Sequence, residues 1–225
     1  MALTLGFDVY GTLIDTAGVT AALLPLAGER APEFARRWRD KQLEYSFRRG
    51  LMGDYVSFAE CTRQALAHTA DSFGIGLTPG QQQGLMEAYG RLPAFADAAS
   101  SLRRLSASGH RLYAFSNGQA AAVHELLERA GLLQHFRDIV SVEEVRSFKP
   151  DPAVYRRFLQ RTGSAPDAAW LISANPFDVI GAAALGLRTA WVQRSSAQPF
   201  DPWGVTPDLT LGALDELPAA LPGPA

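Results

Sequence analysis

Cysteine is nearly absent from this chain of 225 residues: Cys61 stands alone. No intramolecular disulfide can form, and a reducing cytoplasm is the expected location. Cys61 lies in a helical stretch without a partner motif, where a cysteine is a small buried hydrophobe. Histidine is sparse as well. His68, His110, His124 and His135 are scattered without ligand spacing, so no metal centre and no cofactor is expected from them. Charge of neither sign accumulates. With 21 Lys and Arg against 23 Asp and Glu, the formal net charge is −2, and no basic run interleaves with aromatics. Attraction to nucleic acid or to an anionic membrane surface therefore has no basis. No segment approaches the ~20 continuous apolar residues of a membrane span. Met1-Ala2-Leu3-Thr4 runs straight into an apolar strand without a charged region or a cleavage site, so export is not expected. There is no internal repeat.

What is present is an ordinary globular composition, 47% hydrophobic and 20% charged, enough for a real core. The chain is organised around Leu5-Gly6-Phe7-Asp8-Val9-Tyr10-Gly11-Thr12-Leu13-Ile14. An apolar run climbs to Asp8 and breaks at Gly11-Thr12, as a short buried strand delivering a carboxylate to the loop beyond its end. In open α/β sheets ligands bind at that end of the strands. A carboxylate there can be a nucleophile, a metal ligand or a helix cap.

From residue 15 to residue 92 the pattern is helical, with helices expected over Val19–Leu26, Pro32–Arg49, Val56–Phe73 and from Thr78 to about Arg91. Such a block, inserted after the first strand, suggests a cap over the loop carrying Asp8. From Pro93 strands and helices alternate. Strands are expected over Arg111–Phe115, Asp138–Ser141, Ala169–Ser173, Arg188–Val192 and, weakly, Asp208–Leu211. Helices are expected over Asp97–Ser108, Ala120–Ala130, Asp151–Thr162, Phe177–Leu185 and Leu214–Leu221. This rhythm predicts an α/β fold with a doubly wound parallel sheet, residues 1–14 and 93–225 forming the Rossmann-like core and residues 15–92 an α-helical cap. The tail Pro222-Gly223-Pro224-Ala225 is expected to fray.

Parallel strands place their C-terminal ends along one edge. That edge gathers Asp8, Tyr10 and Thr12, then Ser116, Asn117 and Gly118, then Lys149, then Ser173, Asn175 and Asp178. Ser116-Asn117-Gly118 precedes a helix and can hold an anion or simply cap the turn. Lys149 precedes Pro150 and is expected in an extended segment. With Phe148 before it and an apolar stretch after, it is expected to face inward.

These residues, in this order and spacing, resemble the motifs of the haloacid dehalogenase superfamily: Asp8-Val9-Tyr10-Gly11-Thr12, Ser116-Asn117-Gly118, Lys149-Pro150-Asp151 and Ser173-Ala174-Asn175-Pro176-Phe177-Asp178. Most members are phosphatases with a second Asp two residues after the nucleophile and acidic Mg²⁺ ligands in the last motif. This chain has Tyr10 and Ser173-Ala174-Asn175 there. A tyrosine, with an unperturbed pKa of ~10, is a poor acid near neutral pH, whereas a halide leaves without a proton. A neutral Asn175 also suits Mg²⁺ poorly. The same departures mark the L-2-haloacid dehalogenase branch, and Trp38-Arg39-Asp40-Lys41-Gln42-Leu43-Glu44-Tyr45 resembles its cap.

The resemblance implies that Asp8 attacks C2 of a short L-2-haloalkanoate to form an aspartyl ester, with Lys149 paired to Asp8 and keeping it ionised. Ser116 would hold the substrate carboxylate. Arg39, Asn117 and Phe177 would cradle the halide. Asp178 would activate the hydrolytic water, with Thr12, Ser173 and Asn175 orienting it. Tyr10, Leu43 and Phe58 would line the pocket and Tyr155 would support Lys149. No metal is implied, and a homodimer is. On residues alone, an arginine such as Arg39 is more often an ordinary surface residue making a weak ion pair, and Asp40 beside it either pairs with it or points to solvent. Two rival functions remain at this point, a phosphohydrolase with unusual motifs and a non-catalytic small-anion binder on the same fold.

Overall fold

The structure, a computed structural model, describes residues 2–222. Strand β1 (Thr4–Phe7) is buried along its whole length, as a strand covered by helices on both faces must be. It sits in the middle of one parallel sheet with β2 (Arg111–Ser116), β3 (Asp138–Ser141), β4 (Ala169–Ser173), β5 (Arg188–Val192) and β6 (Leu209–Leu211). The order is β3-β2-β1-β4-β5-β6. The chain winds outward from β1 to β3, then crosses back to begin the other half at β4. The reversal falls beside β1, and the crevice beyond the strand ends at such a point is where this architecture binds ligands.

Between β1 and β2 the chain forms α1 (Thr20–Ala27), α2 (Ala31–Met52), α3 (Phe58–Phe73) and α4 (Pro79–Tyr89), followed by α5 (Ala98–Ala107). Outgoing and returning segments of the helical block run side by side, with Asp15 N donating to Pro93 O (2.8 Å) and Phe95 N to Leu13 O (2.9 Å). Local signals account for the helix ends. Ser57 caps α3 by accepting from Glu60 N, so that helix begins at Phe58 and not at Val56. Thr78 and Gln81 form a reciprocal capping box on α4. Helix α2 continues a turn beyond Arg49 because its stop is Gly53, whose φ of 67° closes the end in the left-handed region. The remaining helices are α6 (Ala120–Arg129), α7 (Pro152–Thr162), α8 (Pro176–Ala183) and α9 (Leu217–Ala220). The helix expected over Leu214–Leu221 is in fact a 3-10 turn, Leu214–Glu216, followed by α9. The frayed tail expected from Pro222 lies, from Gly223 onward, outside the described residues. No helix among the described residues is long and apolar enough to cross a membrane.

Helix α7 packs unusually close to β1. Phe158 stacks on Phe115 of β2 with ring centroids 4.8 Å apart, and it fits because β1 carries Gly6 opposite it. A Cβ at Gly6 would stand 2.6 Å from Phe158 Cζ. Gly6→Ala is therefore expected to destabilise the fold by about 1–3 kcal/mol through overpacking, read as a lower urea midpoint at unchanged slope. An unchanged midpoint would mean that the ring retreats freely.

Candidate active site

Asp8 follows β1 and is tied to the sheet through Asp8 N, which donates to Ile172 O (3.0 Å). Its carboxylate is almost buried, 7% exposed, and its two oxygens are held differently. Oδ2 accepts from Thr12 Oγ1 (2.7 Å) and from Asn175 Nδ2 (2.8 Å). Oδ1 accepts only from Lys149 Nζ, at 3.2 Å. Thr12 is itself locked, since its hydroxyl accepts from Ala174 N (2.9 Å).

Lys149 is 1% exposed. Its ammonium donates to Asp8 Oδ1, Asp178 Oδ2 (2.8 Å) and Phe115 O (2.8 Å) and lies 4.2 Å from the centre of the Phe115 ring. All three donors are thereby used. Burial opposes the lysine's charge, but Asp178 and Asp8 more than offset it, so its pKa lies above the ordinary lysine value. The segment is not extended as expected. Lys149 and Pro150 lie in a turn joined by a cis peptide bond, with Asp151 N donating to Phe148 O (2.8 Å). Asn117 anchors this turn, its Oδ1 accepting from Lys149 N (2.9 Å).

Asp178 stands in the first turn of α8, completely buried. Burial raises its carboxyl above the usual carboxylate range, against the pull of Lys149. Tyr155 differs from expectation. Its hydroxyl donates to Asp178 Oδ1 (2.8 Å) and not to Lys149, because α7 directs it beneath α8. The residue is 0% exposed and holds Asp178 from below. Ser173 also sits one step back, its hydroxyl accepting from Asn175 N (3.1 Å). Ser116 Oγ, at the end of β2, accepts from Gly118 N (3.0 Å), and the hydroxyl proton remains available as a donor.

The helical block supplies the opposite wall. Arg39 of α2 turns inward, donating to Tyr10 O (3.2 Å) and to Gln42 Oε1 (2.6 Å). Asp40 is exposed and thus points to solvent beside it. Tyr10 presses its ring against Phe58 and Tyr89, 5.9 Å from each, and burial pushes its phenol above the ordinary value. Leu43, one turn beyond Arg39, is half-buried. Phe177 meets Phe47 of α2 edge-on at 4.9 Å.

Three contributors had not been assigned a role from the sequence. Tyr89, at the end of α4, stacks on Tyr10. Arg194 donates to Thr12 O (2.6 Å) while paired with Asp97 (2.6 Å), bracing the loop from behind. Gln42 holds Arg39. Gln42 lies inside the cap motif, which was a signal; nothing local marks the other two.

The carboxylates of Asp8 and Asp178 converge on an ammonium group, and the Asn175 amide turns its NH₂ toward Asp8. This donor set does not suit a divalent cation, which needs those oxygens for itself. Among the described residues there is no cluster of three or more His, Cys, Asp or Glu that could hold a metal ion.

A family model described as haloacid dehalogenase-like hydrolase matches residues 3–186. Haloacetate dehalogenase H-2 of Moraxella sp. (strain B) is 34% identical, covering 95% of this chain and 95% of the relative. The (S)-2-haloacid dehalogenase of Pseudomonas sp. (strain YL) is 35% identical over 93% of this chain and 90% of its own. Among solved structures, L-2-haloacid dehalogenase from Xanthobacter autotrophicus with chloropropionic acid covalently bound superposes with a TM-score of 0.91. It is 32% identical and covers 97% of this chain and 98% of that one.

Lys149→Met leaves two buried carboxylates facing an apolar side chain. A loss of about 3–5 kcal/mol is expected near neutral pH. Unpaired buried carboxylates bind protons at higher pH than in the unfolded chain, so the loss shrinks as pH falls toward about 5. Urea unfolding at the two pH values tests this. An equal loss at both would show that charge pairing is not what holds the site.

Proposed function

The chain belongs to the haloacid dehalogenase-like hydrolase family, and from that premise we propose that it hydrolyses the carbon–halogen bond of short L-2-haloalkanoic acids and haloacetates. The products are halide and, from the chiral acids, a D-2-hydroxyacid. The observation that carries this reading is Tyr10. Where a phosphohydrolase needs an acid for its leaving group, this chain has a phenol packed on Phe58 and Tyr89 and held above its ordinary pKa by burial. It supplies an apolar wall and no proton, which suits a leaving group that needs none.

In the first step Asp8 attacks C2 from the face opposite the halogen. The C–O bond forms as the carbon–halogen bond breaks, the halide takes the bonding pair, and the configuration inverts. Oδ1 suits the attack because it is the less engaged oxygen. Ser116 and the neighbouring amides hold the substrate carboxylate at the start of α6, and Arg39, Asn117 and Phe177 surround the departing halide. In the second step Asp178 takes a proton from water, and the hydroxide adds to the Asp8 carbonyl carbon. Oδ2 then carries the developing negative charge against Thr12 and Asn175, already 2.7 and 2.8 Å away. The ester bond breaks, the departing alkoxide takes the proton held by Asp178 and leaves as the hydroxyacid, and the second water proton passes from the Asp8 carboxyl to solvent, which regenerates the carboxylate. Ser173 keeps Asn175 in place. Leu43 and Phe58 shape the apolar side. No step uses a metal.

We place the protein in the cytoplasm, where Cys61 is a buried free thiol whose pKa burial raises to about 11. A homodimer joined through the helical block would cover Leu51 and Met52, 92% and 74% exposed on α2. Small haloacids and halide are its proposed partners.

Racemic 2-chloropropionate incubated with EDTA is expected to yield chloride and D-lactate, leaving half the substrate as the R enantiomer, and Asp8→Asn is expected to abolish release. Phosphate release dependent on Mg²⁺, without halide release, would move the protein to the phosphohydrolases. The pH profile tests the base. Turnover is lost as pH falls through the raised pKa of Asp178, so the acid limb lies above the ordinary carboxylate value of ~4. Tyr155→Phe removes a bond that favours the ionised carboxylate, so the limb moves to still higher pH. A limb that stays put would sink Asp178 as base.

A further inference from the structure

Gln42 is fully buried in α2, and its amide is used at three points. Oε1 accepts from Arg39 Nη1 (2.6 Å) and from the Tyr89 hydroxyl (2.9 Å). Nε2 donates to Thr62 Oγ1, and that hydroxyl donates onward to Phe58 O (2.8 Å). Helices α2, α3 and α4 therefore meet on one neutral side chain. The residues it fixes meet the loop that follows Asp8, since Arg39 reaches Tyr10 O (3.2 Å) and Tyr89 stacks on the Tyr10 ring.

We infer that Gln42 is a positioning residue for the leaving-group site, aiming the Arg39 guanidinium at the loop over Asp8 without consuming its charge. Both hydrogen-bond partners of Arg39, Gln42 Oε1 and Tyr10 O, are neutral. A carboxylate at position 42 would hold the guanidinium as firmly but pair with it, and a departing anion would then meet a neutralised cation. An amide fixes one edge of the guanidinium and leaves the charge and the other N–H donors to the halide. The same amide sets the register between that cation and the aromatic wall. The inference rests on Arg39 meeting the halide, as proposed above.

The test is a double-mutant cycle read by kcat, KM and inhibition by chloride. Gln42→Met is near-isosteric and removes the acceptor. The halide carries its charge in the transition state and in the product. The expected result is therefore a kcat for 2-chloropropionate about tenfold lower, chloride inhibition weaker by a similar factor, and KM changed by less than about twofold. In an Arg39→Lys background Gln42→Met is expected to add less than about twofold, because it acts through Arg39. Gln42→Glu keeps an acceptor for both donors and adds the charge, with the Thr62 hydroxyl turning to donate to the carboxylate in place of the lost amide donor, so chloride inhibition weakens although the side-chain volume is retained. That variant carries the test if Gln42→Met fails to fold. Additive effects of Gln42→Met and Arg39→Lys, or wild-type chloride inhibition in Gln42→Glu, overturn the inference while the dehalogenase reading stands. A wild-type chain that releases no halide overturns both.

Discussion

A single ammonium group between two buried carboxylates sets the conditions for the rest of this molecule. Removing Lys149, Asp8 and Asp178 from water costs several kcal/mol per ion even after relaxation, and their attraction offsets that only when every remaining donor and acceptor is satisfied. The fold meets this requirement from three directions. Phe115 O takes the third ammonium proton, Thr12 and Asn175 occupy Asp8 Oδ2, and Tyr155 occupies Asp178 Oδ1. These groups come from the ends of β1, β2 and β4 and from the helix behind them, which are neighbours in the sheet. The triad thus ties the central strands together at the edge where the chemistry occurs.

That arrangement also determines what kind of chemistry the edge can perform. Two acids converging on a divalent cation would polarise a phosphate; converging on an ammonium, they leave one carboxylate oxygen lightly held and the other in a pocket of donors. The helical block completes the division. Tyr10 faces both ways, its carbonyl accepting from Arg39 of α2 and from Asn175 of the sheet edge (3.3 Å), its ring packing against α3 and α4. One residue thereby couples the position of the helical block to that of the nucleophile loop, and displaces the proton donor that other leaving groups need.

Much of the architecture was legible because its signals are local. β3, β4 and β5 begin and end where expected, since turn residues bracket short apolar runs on both sides. Helix ends were off where a capping side chain or a distant stop residue overrode the hydrophobic pattern, as at Ser57 and Gly53. In the site, Asp8, Lys149, Asn175 and Asp178 stood out because polar groups at successive strand ends must share one edge. Tyr155 was misassigned to Lys149. From its place on α7 it lies near both charged groups, and only the approach of α7 beneath α8 decides that it reaches Asp178.

The sequence alone determined the parallel α/β sheet, the inserted helical block and the identity of the polar groups along one edge, because periodicity, turn chemistry and motif spacing act over a few residues. Tertiary structure decided the pairings. It placed Lys149 between two acids, turned Asp40 to solvent and Arg39 inward, braced Thr12 with Arg194, and joined three helices on Gln42. Each of these depends on where elements far apart in the chain come to rest. Hydrogen bonds and ion pairs are short-ranged and directional, so a spacing along the chain brings candidates near one another and packing selects which of them touch.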